Sequence, residues 1–206
     1  MLKIAFNQSY IYPLEENHRF PMIKYELIPE QLIRENTCVN DNFFNPGKID
    51  KKLVLLTHQE EYFDRFKSLK LSKKEIREIG FPLSKELVER EMEIAQGTVM
   101  GVNYSLKNGI SMNIAGGTHH AFFDRGEAFC MLNDQSIAAN YLLKEKLVKK
   151  IMIIDLDVHQ GNGTASIFKR NNNVFTLSFH GKKNYPFRKE ISDLDIEFED
   201  NTNDNE

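Results

Sequence analysis

The sequence predicts an α/β fold, a three-layer αβα arrangement in which helices cover both faces of a mostly parallel sheet. Strand-length apolar segments alternate with helical segments through the second half of the chain, as a parallel sheet with crossover helices requires. The loops after three of those strands hold four of the 6 histidines, where ligand-binding loops of such a sheet are expected. The chain has 206 residues, is 41% hydrophobic and carries 11 glycines, which is enough for one domain with a sizeable core.

The first strand is expected at 3–6. A loop bearing Pro13 and Arg19-Phe20-Pro21 leads to a helix over 22–34. The run 53–57 is short and apolar enough for a buried strand, and 58–69 reads as a helix with Tyr62, Phe63 and Phe66 on one face. After Pro82, Val88, Met92, Ala95, Val99, Val102 and Leu106 recur at spacings of four and three. That is the core stripe of a long amphipathic helix, which stops at Asn108-Gly109. Then come a strand at 110–115, a Gly-rich loop, a helix over 134–148 and a strand at 150–155. A Gly-containing loop, a short helix near 164–168 and a strand at 174–179 complete the alternation. The acidic, Asn-rich segment 197–206 reads as a frayed end.

Charge excludes some functions. With 27 basic and 30 acidic residues, net −3, no stretch concentrates Lys and Arg into a nucleic-acid footprint. The start of the chain turns polar too early for a signal peptide and no apolar run could span a membrane, so a soluble cytoplasmic protein is expected. Cys38 and Cys130 are too few and too far apart for a thiolate metal site, so any metal must be held by His and carboxylates.

Chemistry collects in three loops: Gly116-Gly117-Thr118-His119-His120, the run from Asp155 to Gly163, and His180-Gly181 leading to Tyr185. Their shared edge would bring His119, His120, His159 and His180 to one crevice. In an extended segment Asp157 and His159 point the same way, and carboxylate plus imidazole suits Zn²⁺ or Fe²⁺, although a catalytic zinc site takes a third ligand. An isolated Asp-x-His is more often a solvated strand end. The two glycines permit a tight turn before His119-His120, with Asp155 available to fix a tautomer. A metal plus a basic imidazole is the minimum needed to activate water. Gly116-Gly117 lacks the Lys-Ser/Thr ending of a phosphate loop. Cys130, between Phe129 and Met131, reads as core, Glu127 as a solvated rim carboxylate, and His18 and His58 as surface or cap residues.

Taken together, Gly-Gly-Thr-His-His-Ala at 116–121, Phe129-Cys130 with Asn133-Asp134, and Asp-Leu-Asp-Val-His-Gln-Gly-Asn-Gly-Thr at 155–164 resemble the histone deacetylase superfamily, in its bacterial and class IV-like branch. The stretches from His18 to Tyr25 and Gly80-Phe81-Pro82 extend the resemblance over nearly the whole chain. It implies an arginase/deacetylase fold and a zinc-dependent hydrolase that removes acetyl groups from acetylated lysine, polyamine or another acyl amine. On that resemblance Asp157 and His159 match two of three metal ligands. His120 matches the general base and acid, and His119 its electrostatic partner. Asp155 stands behind His119 and Asn162 behind His120. Phe129 and Tyr185 match the walls of the acyl-lysine channel, Arg19 its floor, and Ala128 replaces a common Gly at the rim. A structural monovalent cation is implied near Asp155 and Ser178.

The family's third metal ligand, an Asp, and its transition-state Tyr would fall beyond the equivalent of Glu206. Asp193, Asp195, Asp200 and Asp204 do not supply that ligand. The resemblance therefore implies a single, C-terminally truncated deacetylase-like domain over 1–206. A competing expectation is a non-catalytic remnant or interaction fragment. A dinuclear manganese ureohydrolase of the arginase type fits less well, because a second Asp-rich motif is absent.

Overall fold

The computed structural model describes residues 1–203. Its elements, in order, are β1 (Lys3–Ala5), α1 (Lys24–Arg34), β2 (Phe43–Phe44), α2 (Lys51–Val54), α3 (Glu60–Lys67), α4 (Lys73–Ile79), α5 (Lys85–Asn108) and β3 (Ser111–Asn113). There follow α6 (Asp134–Lys144), β4 (Ile151–Asp155), α7 (Asn162–Phe168), β5 (Val174–Gly181) and β6 (Leu194–Phe198). All strand pairs are parallel, in two three-stranded sheets ordered β2-β1-β3 and β4-β5-β6. Parallel sheets flanked by helices are the architecture that the alternation predicts.

The long helix α5 forms where its apolar stripe repeats. The Ser84 hydroxyl accepts from the Leu87 N–H at 3.1 Å to start it, and Gly109, at φ 87°, stops it in the left-handed region that glycine tolerates. Its buried face, with Leu87, Ile94 and Ala95, packs against β1, β3 and α6. Tyr62, Phe63 and Phe66 of α3, together with Met131, Leu132 and Ile137, fill the same core. The second sheet has a smaller core of Ile153, Phe168, Val174 and Ala139. No ladder joins β3 to β4, and beside these open edges Met112, Met152 and Ile154 are 44%, 59% and 52% exposed. A parallel sheet ordinarily buries such residues. Among the described residues no helix is long and apolar enough to cross a membrane.

Four expectations are corrected. The run 53–57 is not a strand: Asp50 accepts from the Lys52 N–H at 2.8 Å and starts α2, and the chain continues as a turn to His58. Glu197 and Phe198 do not fray, because they close β6 opposite His180 and Gly181; residues 204–206, including Asp204, lie outside the described residues. His58 is no surface residue. It is 1% exposed, its Nδ1–H donates to the Phe122 carbonyl at 2.8 Å and its Nε2 accepts from the Asn133 N–H at 2.9 Å. Burial pushes its pKa down to about 4, so it sits in the core as a neutral strut. His18 is half-buried, bonded to the Gly80 carbonyl and the Phe20 N–H and stacked on Phe81.

Candidate active site

The loops beyond the C-terminal ends of β3 and β4 meet where the sequence places them. Gly117, at φ 89°, turns the chain after β3, and a side chain on Gly116 would begin 2.8 Å from Asp134 Oδ2. That carboxylate, buried at the first turn of α6, holds the turn. Oδ1 accepts from the Gly117 N–H at 3.0 Å, the Thr118 N–H at 2.8 Å and the Thr118 hydroxyl at 2.7 Å, and Oδ2 accepts from the Thr98 hydroxyl at 2.5 Å. The next two residues are His119 and His120, both buried, with ring centroids 4.0 Å apart.

Each ring is pinned by a different acceptor. His119 Nδ1 lies 2.5 Å from Asp155 Oδ2, at the end of β4, and His120 Nδ1 lies 2.7 Å from Asn162 Oδ1, at the start of α7. Glycines allow this close approach. A side chain on Gly161 would strike Asp155 Oδ2, and one on Gly163 would strike the Ala121 carbonyl. Because Asn162 Oδ1 has no proton to give, the neutral His120 carries its proton on Nδ1 and leaves Nε2 bare. Burial, and then the neighbouring His119, push the His120 pKa down to about 4, so the ring is neutral at pH 7.

Arg19, His119, His120, Ala128, Phe129, Asp157, His159 and Tyr185 border one cavity of about 600 Å³, and Asp155 and Asn162 stand behind the histidines. Phe129 and Tyr185 both line it. Phe129 packs against Phe20 and Phe81 at centroid distances of 5.1 and 5.0 Å, under the Arg19 guanidinium at 4.9 Å. The Tyr185 ring stands edge-on to His120 at 5.0 Å. Lys24, within the stretch from His18 to Tyr25, and Arg90, unmarked by any sequence motif, also line this cavity; Arg90 is buried and paired with Glu91. Cys130 is core, and burial raises its thiol pKa.

His180 departs from the expectation of four converging histidines. It remains within β5, buried, with Nδ1 3.0 Å from the Ser178 hydroxyl, and borders a separate cavity of about 810 Å³ on the other side of Asp157. The implied cation position near Asp155 and Ser178 is a void of about 10 Å³, the space of roughly one water.

Ala128 and Phe129 have φ of 43° and 68°, and Glu127 pairs with Cys130 across them, so two left-handed residues form a tight turn without the usual Asn or Gly. Their N–H groups donate to the Glu78 and Ile79 carbonyls at the C-terminus of α4, at 3.0 and 2.6 Å, satisfying acceptors that helix ends leave open. A left-handed alanine costs about 1–2 kcal/mol, and glycine's larger unfolded-state entropy returns part of that. Ala128→Gly is therefore expected to stabilise the chain by about 0.5–1 kcal/mol, raising Tm by roughly 1–4 °C. A lower Tm in a thermal scan would show that the turn is unstrained.

Asp157 and His159 are the candidate metal donors. Asp157 Oδ1 accepts from the His159 N–H at 2.7 Å and lies 3.0 Å from His159 Nδ1, and both side chains are about half exposed. Although burial acts the other way, the His159 N–H and the nearby imidazoles hold the Asp157 carboxyl below the usual carboxylate range. Among the described residues no third His, Cys, Asp or Glu joins them in a group able to hold a metal ion. Asp193 and Asp195 are engaged with Thr176 and Gln160. The donor chemistry suits zinc; the donor number does not, so the residues described do not by themselves fit a catalytic zinc ion.

A family model described as the histone deacetylase domain matches residues 14–205. The chain is 38% identical over 193 residues to an uncharacterized protein of Picosynechococcus sp., covering 94% of this chain and 64% of that protein. It is 26% identical over 196 residues to histone deacetylase 2 of Arabidopsis thaliana, covering 90% of this chain and 50% of that protein. Among solved structures it resembles an HDAC homolog from Aquifex aeolicus, with a TM-score of 0.82 and 24% identity, covering 99% of this chain and 61% of that one. That likeness shows a three-layer α/β fold of the arginase/deacetylase kind. The chain spans about half to two thirds of the length of these relatives.

Proposed function

The chain belongs to the histone deacetylase family, and from that premise we propose that it supplies the acyl-amine channel and the base pair of an amidohydrolase that removes acetyl groups from acetylated lysine, polyamine or another acyl amine. The observation that carries this reading is the pair of buried imidazoles at the cavity wall, each oriented by its own acceptor. The acyl amine would lie between Phe129 and Tyr185 with its amide beside the two rings. His120 Nε2 would take a proton from the attacking water and return it to the leaving amine nitrogen. His119, held by Asp155, would stabilise charge beside it. A bound zinc ion would take Asp157 and His159 as two of its ligands, and this donor set is one short of a catalytic site.

That two-donor set also favours a second reading, a non-catalytic fragment that retains the channel. Ligand binding tests the feature both readings share. An acetyl-lysine peptide followed by ligand-observed NMR is expected to bind in preference to its unacetylated form. Phe129→Ala should weaken that binding at least about tenfold, the equivalent of ~1.4 kcal/mol. Equal binding of both peptides would remove the channel assignment.

A further inference from the structure

Glu127 is not a solvated rim carboxylate. Its Oε1 accepts from the Arg125 Nε–H at 2.9 Å, while Oε2 accepts from the Tyr185 hydroxyl at 2.9 Å and lies 3.4 Å from Asn162 Nδ2. Arg125 pairs with Oε1 and leaves Oε2 turned inward. The two inward contacts reach the channel wall and the residue behind the candidate base. Glu127 arrives there through the same left-handed turn that carries Phe129 to the cavity.

Asn162 is the sensitive member of this chain, because a carboxamide can present either oxygen or nitrogen to a ring. With the oxygen forward, His120 must hold its proton on Nδ1, and Nε2 is free to accept another. With the nitrogen forward, Nδ1 becomes the acceptor, the proton moves to Nε2, and the ring has no lone pair facing the cavity. Two neighbours select the first orientation, and the Tyr185 hydroxyl, bonded to Glu127, also interacts with the Asn162 side chain. The Gly163 N–H donates to Asn162 Oδ1 at 3.0 Å, and Glu127 Oε2 faces Nδ2. Reversal would set the amide oxygen against a carboxylate and the amide nitrogen against an N–H. At 3.4 Å the Glu127 contact is long for a hydrogen bond, and its selectivity comes from charge: a carboxylate attracts an amide N–H and repels an amide oxygen in the same place.

We propose that Glu127 is a positioning residue that fixes the Asn162 amide, and through it the proton on His120 Nδ1, while tethering Tyr185 at the channel wall. This deepens the reading above and rests on it in taking His120 as the base. It also ties the two halves of the site together, since Glu127 follows β3 in the chain, whereas Asn162 and Tyr185 follow β4 and β5.

The test reads the ring itself. Long-range ¹H–¹⁵N spectra of the whole chain at neutral pH, with His120 assigned by the loss of its signals in His120→Gln, report which nitrogen bears the proton. The wild-type chain is expected to show the single Nδ1–H pattern. Glu127→Ala, and the space-filling Glu127→Met, are expected to lose it, with the two nitrogen shifts moving toward one another as both amide orientations populate. Tyr185→Phe, which keeps the Glu127–Asn162 contact but removes a hydroxyl that also interacts with Asn162, should keep Nδ1–H as the major form. An unchanged single-tautomer pattern in a folded Glu127 variant would overturn the proposal and assign the orientation to Gly163 and Tyr185. Because the readout is the protonation pattern, a chain without deacetylase activity would count against the functional reading and leave this result intact.

Discussion

Offered zinc after purification, the chain is expected to retain well under one equivalent and to hydrolyse an acetyl-lysine peptide at least about a thousandfold more slowly than a relative with a complete ligand set. Catalytic zinc sites hold the ion with three protein ligands, and here Asp157 and His159 stand without a third among the described residues. Both side chains are about half exposed, so water competes for the ion at each. A base alone contributes about 10²–10⁴-fold. The stabilisation of developing oxyanion charge, where loss of a single donor costs about 10²–10³-fold, has no assigned group in this cavity. Equilibrium dialysis with metal analysis, run beside a peptide assay, makes the measurement. One zinc per chain that is lost in His159→Ala, together with turnover, would sink this expectation and the fragment reading with it.

The second half of the chain was legible because its physics is local. Between 110 and 181, β4 and β5 carry apolar runs, and the glycine-bearing loops after β3 and β4 each lead to a helix, so period and punctuation agree. Within the site, sequence placed His119, His120, Asp157 and His159 on one edge, and the resemblance added Arg19, Phe129 and Tyr185 as channel residues; all seven border the same cavity. His180 stays out of that crevice because β5 runs past the expected end at 179 to Gly181 and keeps the ring in the ladder.

Other signals were present but ambiguous. The capping box Ser72–Glu75 and the left-handed Gly80 bracket α4, a helix too short to announce itself by an apolar stripe. Leu194, Ile196 and Phe198 alternate with acidic residues as an edge strand does, yet the acidic composition suggested a loop. The run 53–57 failed for the opposite reason, since four apolar residues carry no period that separates strand from helix. The turn at Ala128-Phe129 could not be read at all, because neither residue favours positive φ; tertiary bonds to the end of α4 impose it. Strain of this kind collects where a side chain must be aimed, and here it aims Phe129 and Glu127 at once.

Asp134→Ala is expected to be the most damaging single change to the fold. This carboxylate is 1% exposed and accepts from two backbone N–H groups and two hydroxyls, on the turn before His119 and on α5. Removal would leave the buried Thr118 N–H without an acceptor, at about 1–3 kcal/mol, would take the acceptor from the exposed Gly117 N–H and the Thr98 hydroxyl, at about 0.5–1.5 kcal/mol each, and would free the Thr98 link to Asn113 on β3. A total of about 4–5 kcal/mol is a large part of the 5–15 kcal/mol that holds a typical domain folded. For a chain of this size it lowers Tm by roughly 10–15 °C. Asp134→Asn separates charge from shape. Its oxygen can still accept from Gly117 and Thr118, and only the Thr98 hydroxyl loses its acceptor, so about 1–2 kcal/mol is expected. Denaturant titration of the three proteins measures the series, and an Asp134→Ala chain within 1 kcal/mol of wild type would show that the turn is held by Gly117 and the packing around it. The site should follow the same order. His119 can meet Asp155, and His120 can meet Asn162, only while the turn between β3 and α6 keeps its shape, so loosening that turn separates both imidazoles from the acceptors that orient them.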